Sequence, residues 1–284
     1  MIIDLRLDGF KHSLVELDNP KPISEIVRTT DISTKTVLSY KINHRQYVND
    51  EYVPAQNTMV DCITYKHPEG SRIYHDSVIF VMAKAAYNIL GENNTLVVEH
   101  SVGDGVFCEF FGDQLWTADD CARLLAEMQR IVENDIPIDR IEVRTEEALD
   151  IFGSMGRKDL VKNLKYNYRD SVSIYRCGKY YDSFIRPLAD RTSIVNEFDV
   201  VYQDPGFILR FPSGPDFKVV RPFVLPNKIF SLHQEHDKWL DILKVHNIID
   251  INKLIDDYNV SEFILTEEAL QEKKIAEIAA DIHA

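Results

Sequence analysis

Tyr175-Arg-Cys-Gly-Lys-Tyr-Tyr-Asp-Ser-Phe-Ile-Arg-Pro187 is where the fold becomes readable. With the Ser171-Val-Ser-Ile run before it, this is a strand that turns at Cys177-Gly178 and returns through Tyr180 to Ile185, since a β-rich run broken by glycine signals a hairpin. Similar runs lie on either side. Thr95-Leu-Val-Val-Glu and Val106-Phe-Cys-Glu-Phe-Phe are strand-like, while Phe198-Asp-Val-Val-Tyr and Phe207-Ile-Leu-Arg-Phe flank the tight turn Asp204-Pro-Gly206. Helical signals alternate with them. His75 opens a helix that is apolar nearly all round as far as Leu90, the mark of a buried helix. Thr117 followed by Asp120 is a capping-box-like start, after which Cys121, Leu124, Leu125, Met128, Ile131 and Val132 recur at helical spacing until Pro137. Thr145-Glu-Glu starts another. The expected class is α+β, an antiparallel sheet packed by a few helices.

Residues 1–68 read as a smaller unit. Ile3, Leu5 and Leu7 alternate with charged neighbours before a turn at Asp8-Gly9, and a second strand runs from Lys11 to Leu17. Ser24 is placed to cap a short helix over Glu25-Ile-Val-Arg. Val37-Leu-Ser-Tyr-Lys-Ile then reaches a turn at Asn43-His44 and returns through Gln46-Tyr-Val, and Met59 to Tyr65 supplies a last strand. This order describes a ubiquitin-like β-grasp, a fold used mostly for docking. The main α+β domain spans 72–211, residues 212–222 form a connector, and 223–284 is mainly helical, with a mainly helical segment from Lys228 to about Val245 and a last helix from Thr266-Glu-Glu. Leu270, Ile275, Ile278, Ala279 and Ile282 give that helix an apolar stripe running almost to Ala284, an open end that predicts a longer parent chain.

The composition narrows the function. The net charge of −14 disfavours independent nucleic-acid binding, because such surfaces work by neutralising phosphates with Lys and Arg. The basic run Arg157, Lys158, Lys162, Lys165, Arg169 reads as a solvated face. No stretch reaches the roughly 18 apolar residues of a membrane span, so no membrane partner is expected. Four widely spaced cysteines without a Cys-x-x-Cys pair suit reduced thiols and a cytoplasmic location.

Four blocks carry a resemblance: His75-Asp-Ser-Val-Ile-Phe-Val-Met-Ala, Val102-Gly-Asp-Gly-Val-Phe-Cys-Glu-Phe110, Pro137-Ile-Asp-Arg-Ile-Glu-Val143, and Tyr175 to Pro187. In order and spacing they resemble the second N-terminal domain of threonyl-tRNA synthetases, which removes mischarged serine, and the β-grasp before them resembles the TGS module that leads that family. The resemblance implies a metal site with a second His one turn after the first and a later Asp-Leu-Cys-Arg-Gly-Pro-His block. Here Ile79 stands for that second His. The later block reads Asp182-Ser-Phe-Ile-Arg-Pro-Leu188, with Phe184 for the Cys and Leu188 for the last His. Zinc and its catalytic water need imidazole or thiolate donors, and three of the four positions offer none. No metal and no catalytic residue are therefore expected.

The whole arrangement also resembles the N-terminal half of a bacterial uridine-kinase-like protein of the phosphoribulokinase/uridine kinase family. Trp239-Leu-Asp-Ile-Leu-Lys-Val, Asp250-Ile-Asn252 and Glu267 to Ala276 resemble the stretch that joins its halves. That implies a kinase domain in cis as partner. A phosphate loop needs Gly-x-x-x-x-Gly-Lys-Ser/Thr, which neither Gly153-Ser-Met-Gly-Arg-Lys158 nor Gly206 to Gly214 supplies. No cofactor is expected here; ATP and Mg belong to the kinase domain alone.

The expectation is a non-catalytic accessory region of a nucleoside kinase, sensing a small-molecule ligand or docking a partner. The alternative is a residual aminoacyl-tRNA editing hydrolase or a tRNA-binding module. Ligand-pocket candidates are His75, Asp104, Tyr175, Asp182 and Arg186. Each has a plain reading beside the functional one: His75 as a helix-start histidine partnered by carboxylate or backbone, Asp104 as a turn residue, Asp182 with Arg186 as a structural pair. His233-Gln-Glu-His236 is wrongly spaced for a metalloprotease helix, and His236 falls on the face of Leu232, Leu240 and Leu243, which favours packing.

Overall fold

A computed structural model describes residues 1–91, 95–111, 115–166, 169–212, 219–222, 238–245 and 248–283. They form two compact units, one from Met1–Leu160 with Arg169–Phe223, the other from Val161–Tyr168 with Val224–Ala284. The class is α+β.

The first unit opens with β1 (Ile2–Leu7), β2 (Lys11–Glu16), α1 (Ile23–Arg28), β3 (Val37–Ile42), β4 (Gln46–Val48) and β5 (Thr58–Thr64). The sheet order is β2-β1-β5-β3-β4, with β1 and β5 parallel and the other pairs antiparallel, the arrangement of a β-grasp. Asn43 and His44 have φ +48° and +58°, the pair of positive values that a two-residue type I′ turn demands. Ile3, Leu5, Ile26, Val27, Val60 and Cys62 are buried between α1 and the sheet. Ser24 is not the helix cap. Pro22 holds that position without a side-chain bond, and the chain itself satisfies the first N–H groups, with Ile23 N donating to Tyr52 O and Ser24 N to Asp50 O.

The next helix, α2 (Gly70–Leu90), starts a turn and a half before His75, so that residue does not open it. Its N-terminus lies against β5: a Cβ on Gly70 would meet Thr64 O at 2.0 Å, so only glycine fits. The helix is central. On one side Val78, Val81, Met82 and Ala85 share a core with Cys108, Phe207 and Leu209. On the opposite side Phe80, Ala83 and Tyr87 share another with Ile138, Tyr175 and Tyr180. This double burial is why the sequence is apolar nearly all round.

Two sheets, not one, therefore flank α2. The four-stranded sheet has the order β11-β12-β7-β6, from β6 (Thr95–Val102), β7 (Gly105–Phe111), β11 (Asp199–Gln203) and β12 (Gly206–Arg210). The three-stranded sheet is β10-β9-β8, from β8 (Asp139–Arg144), β9 (Ser171–Cys177) and β10 (Tyr180–Asp182), with Gly178 at φ +63° in the β9–β10 turn. α3 (Ala118–Glu133) carries the expected capping box: Asp120 N donates to Thr117 Oγ1, and Thr117 N donates to Asp120 Oδ2. α4 (Thr145–Ser154) and α5 (Lys158–Lys165) follow β8.

In the second unit residues 238–243 are helical (α6), followed by α7 (Ile248–Asp256) and α8 (Val260–His283). α8 begins before Thr266, whose hydroxyl donates to Glu262 O at 2.8 Å as a residue inside the helix and not a cap. The start of the Lys228 segment, Leu232, His233, His236 and connector residues 213–218 lie outside the described residues. Among the described residues, no helix is long and apolar enough to cross a membrane.

Candidate functional site

The candidate residues come from α2 (His75), the β6–β7 turn (Asp104), β9 (Tyr175), the end of β10 (Asp182) and the segment after it (Arg186), and they do not form one cluster. His75 and Ile79 lie one turn apart on α2. The His75 ring is half-buried, stacks on Phe211 with 4.2 Å between centroids, and has Nε2 3.1 Å from the Tyr65 hydroxyl. That hydroxyl donates to Pro212 O at 3.0 Å. Its one proton is thereby committed, so His75 Nε2–H is the donor in their contact. The partner of His75 is thus a phenol, neither the carboxylate nor the backbone group of its plain reading. Asp104 sits exposed in the β6–β7 turn, and its charge adds to burial in pushing the Tyr65 hydroxyl up to about 12.

Burial pushes the His75 imidazole below its ordinary range; Asp76 opposes this and Arg186 adds to it. A histidine depressed in the folded state binds fewer protons there than when unfolded. Its contribution to stability is complete above the unfolded value of about 6.5 and is lost as pH falls through the lower folded value. We expect stability to fall as pH drops below about 6.5, with a flatter profile in that window for His75→Gln. Urea melts across that pH range check this; identical slopes for the two proteins would refute it.

Arg186 and Asp182 do not form the structural pair read from the sequence. Arg186 binds Asp76 through two parallel bonds, Nε to Oδ2 at 2.5 Å and Nη2 to Oδ1 at 2.7 Å. Its carbonyl accepts from the Tyr175 hydroxyl at 3.2 Å. Ala189 N donates to Ser77 Oγ at 2.7 Å. Two consecutive α2 residues, Asp76 and Ser77, thus fasten the post-β10 segment to the helix. Asp182 belongs to another cluster, where it accepts from Tyr180 at 2.5 Å and from Arg157 Nη1 at 3.2 Å. Arg157 is not part of a solvated face: it ties Asp182 to Asp159, with Nη2 2.9 Å from Asp159 Oδ2.

The sequence reading missed Tyr65, Asp76, Phe211 and Arg157 as parts of this region. Asp76 had a signal. Arg186 stands where the synthetase motif has Gly, and the carboxylate after His75, buried on α2, needs a cation, which Arg186 supplies.

The donor set does not fit a zinc ion. Phe184 packs edge-on to Phe80 at 5.9 Å, Leu188 is buried with Phe80, Tyr175 and Tyr180, and Ile79 flanks the other core. Among the described residues no group of three or more His, Cys, Asp or Glu is placed to hold a metal. All four cysteines are buried and free. Burial raises Cys62 to about 12 and Cys177 to about 11, far from a ready thiolate.

No protein-family model matches the chain. It is similar to threonine–tRNA ligases: 27% identical over 167 residues to that of Nitratidesulfovibrio vulgaris strain Miyazaki F, covering 59% of this chain and 26% of the relative. The ligase of Syntrophotalea carbinolica is 26% identical over 140 residues, covering 49% of this chain and 22% of the relative. That of Thermotoga neapolitana is 27% identical over 142 residues, with the same coverage. The chain spans about a quarter of the length of the curated relatives it matches. Over about half its length, then, this protein carries a domain like those of threonyl-tRNA synthetases.

Proposed function

We propose that this synthetase-like region is a non-catalytic accessory module, which senses a small molecule or docks a partner and does not hydrolyse aminoacyl-tRNA. One observation carries the reading: hydrocarbon fills three of the four positions where the related motif has metal donors, while the fourth, His75, is committed to Tyr65 and stacked on Phe211. Three of the other polar candidates are also engaged, Arg186 by Asp76, Asp182 by Arg157 and Tyr180, and Tyr175 by the Arg186 carbonyl. The finer part of the proposal places the module beside a kinase domain in a nucleoside-kinase-like protein. It is supported by the resemblance of Trp239 to Val245, Asp250 to Asn252 and Glu267 to Ala276 to the joining stretch of such proteins. An in-frame phosphate loop in the gene beyond Ala284 supports that part, and a stop codon there sinks it.

A second reading, an editing hydrolase or tRNA-binding module, is favoured by the similarity to proteins named threonine–tRNA ligase. The two readings separate on one assay. With purified chain added to seryl-tRNA(Thr), the accessory reading expects ester loss at the spontaneous rate. Turnover well above that rate, abolished by His75→Ala, establishes the hydrolase instead.

A further inference from the structure

A cleft of about 440 Å³ lies between β4 with its following turn and the face of the three-stranded sheet that carries Tyr175, within the size range of small-ligand pockets, about 300–1,000 Å³. Neither His75 nor Asp104 lines it; of the candidate residues only Tyr175 does. Strand alternation builds one wall. Arg140 and Glu142 stand two residues apart on β8, opposite Tyr175 and Ser173 of β9, so all four share one face.

The charges of that wall are not used on each other. Arg140 Nη2 donates to Ser173 Oγ at 3.2 Å, and Glu142 Oε1 accepts from Ser171 Oγ at 2.8 Å. Among the described residues neither makes an ion pair. The strand rise sets their Cα atoms about 7 Å apart, a span that a carboxylate and an ammonium on one carbon atom bridge when each sits at hydrogen-bond distance from its partner. At the floor, Asp190 takes a backbone hydrogen bond from Asp50, and its Oδ2 is buried with no partner. Burial, reinforced by Asp50, holds that carboxyl well above the usual carboxylate range. The exposed charges of the cleft wall are thus one cation, Arg140, and one anion, Glu142. Tyr47, Tyr175, Ile138 and Leu188 supply an aromatic and aliphatic remainder.

We propose that this cleft binds a free zwitterionic α-amino acid with an apolar or aromatic side chain, its carboxylate on Arg140 and its ammonium on Glu142. The cleft shares Tyr175 and Leu188 with the old motif but not His75, and its test reads amino-acid binding, so its failure is distinguishable from that of the deacylation assay.

Isothermal titration of the full chain tests the assignment, using L-phenylalanine, L-phenylalaninamide, 3-phenylpropionate and a nucleoside as probes. Phenylalanine is expected to bind, with the amide and the phenylpropionate each weaker by about tenfold. Arg140→Gln should weaken phenylalanine by about tenfold but leave the amide unchanged, and Glu142→Gln should do the same while leaving phenylpropionate unchanged. Arg123→Gln, on the exposed surface of α3, should change nothing. Both cleft residues are exposed, and a preserved melting temperature verifies that the variants fold. The assignment is overturned by no binding of phenylalanine up to about 10 mM, by binding that neither cleft variant alters, or by binding of the nucleoside alone.

Discussion

Replacing Arg157 with alanine destabilises the first unit by about 3–5 kcal/mol. Asp182 and Tyr180 are 5% and 1% exposed, and Arg157 is the cation that serves both, with Nη1 3.0 Å from the Tyr180 hydroxyl and 3.2 Å from Asp182 Oδ2. Without it, among the described residues, the carboxylate keeps the Tyr180 hydroxyl and the Ser183 N–H, at 2.5 and 2.7 Å. The cost is that of stranding a buried charge, not the worth of the pair, so Asp182→Asn in the Arg157→Ala background should recover part of it. In a unit of this size the loss corresponds to a fall of on the order of 10 °C in melting temperature. Differential scanning calorimetry reads it directly, and a drop under about 2 °C would mean that water reaches Asp182 and that the cluster is not sealed.

Truncating Phe80 to alanine should cost a similar amount, about 3–5 kcal/mol. Phe80 is fully buried on the side of α2 that faces the three-stranded sheet, edge-on to Tyr180 at 5.5 Å and to Phe184 at 5.9 Å. Phe184 is the residue that replaces the motif's thiolate donor, so Phe80 supports the hydrocarbon that closes the old metal position. Phe80→Leu keeps most of the volume and should cost under about 1.5 kcal/mol. Urea titrations with unchanged slope give both values. Equal losses for the two variants would show that the site collapses without leaving a cavity. Because Phe80 and Arg157 both touch Tyr180, their effects should not add.

Local signals in the sequence were reliable where one residue's chemistry fixes the backbone. Asn43-His44 tolerates positive φ and makes the β3–β4 turn, and Thr117 with Asp120 closes the reciprocal box that starts α3. The α+β class and the β-grasp followed from such signals. Boundaries failed where tertiary contacts replaced local ones. Ser24 lost its capping role to carbonyls of Asp50 and Tyr52, and α2 began at Gly70 because β5 lies too close for any Cβ there. β8 carries the alternation that marks β1, with Ile141 and Val143 between the exposed Arg140, Glu142 and Arg144, but its run is short and follows directly on Pro137. Charge pairing was the least legible feature. Asp182 and Arg186 sit four residues apart, yet each is satisfied from far along the chain, Asp182 by Arg157 from the α4–α5 turn and Arg186 by Asp76 of α2, through contacts that only tertiary packing creates.

Zinc content of the purified chain tests the loss of the metal site most directly. After equilibration with excess zinc and desalting, elemental analysis should find far less than one ion per chain, with no difference between the native protein and His75→Ala. One zinc per chain, removed by that substitution, would contradict the reading that isoleucine, phenylalanine and leucine have ended ion binding in this fold.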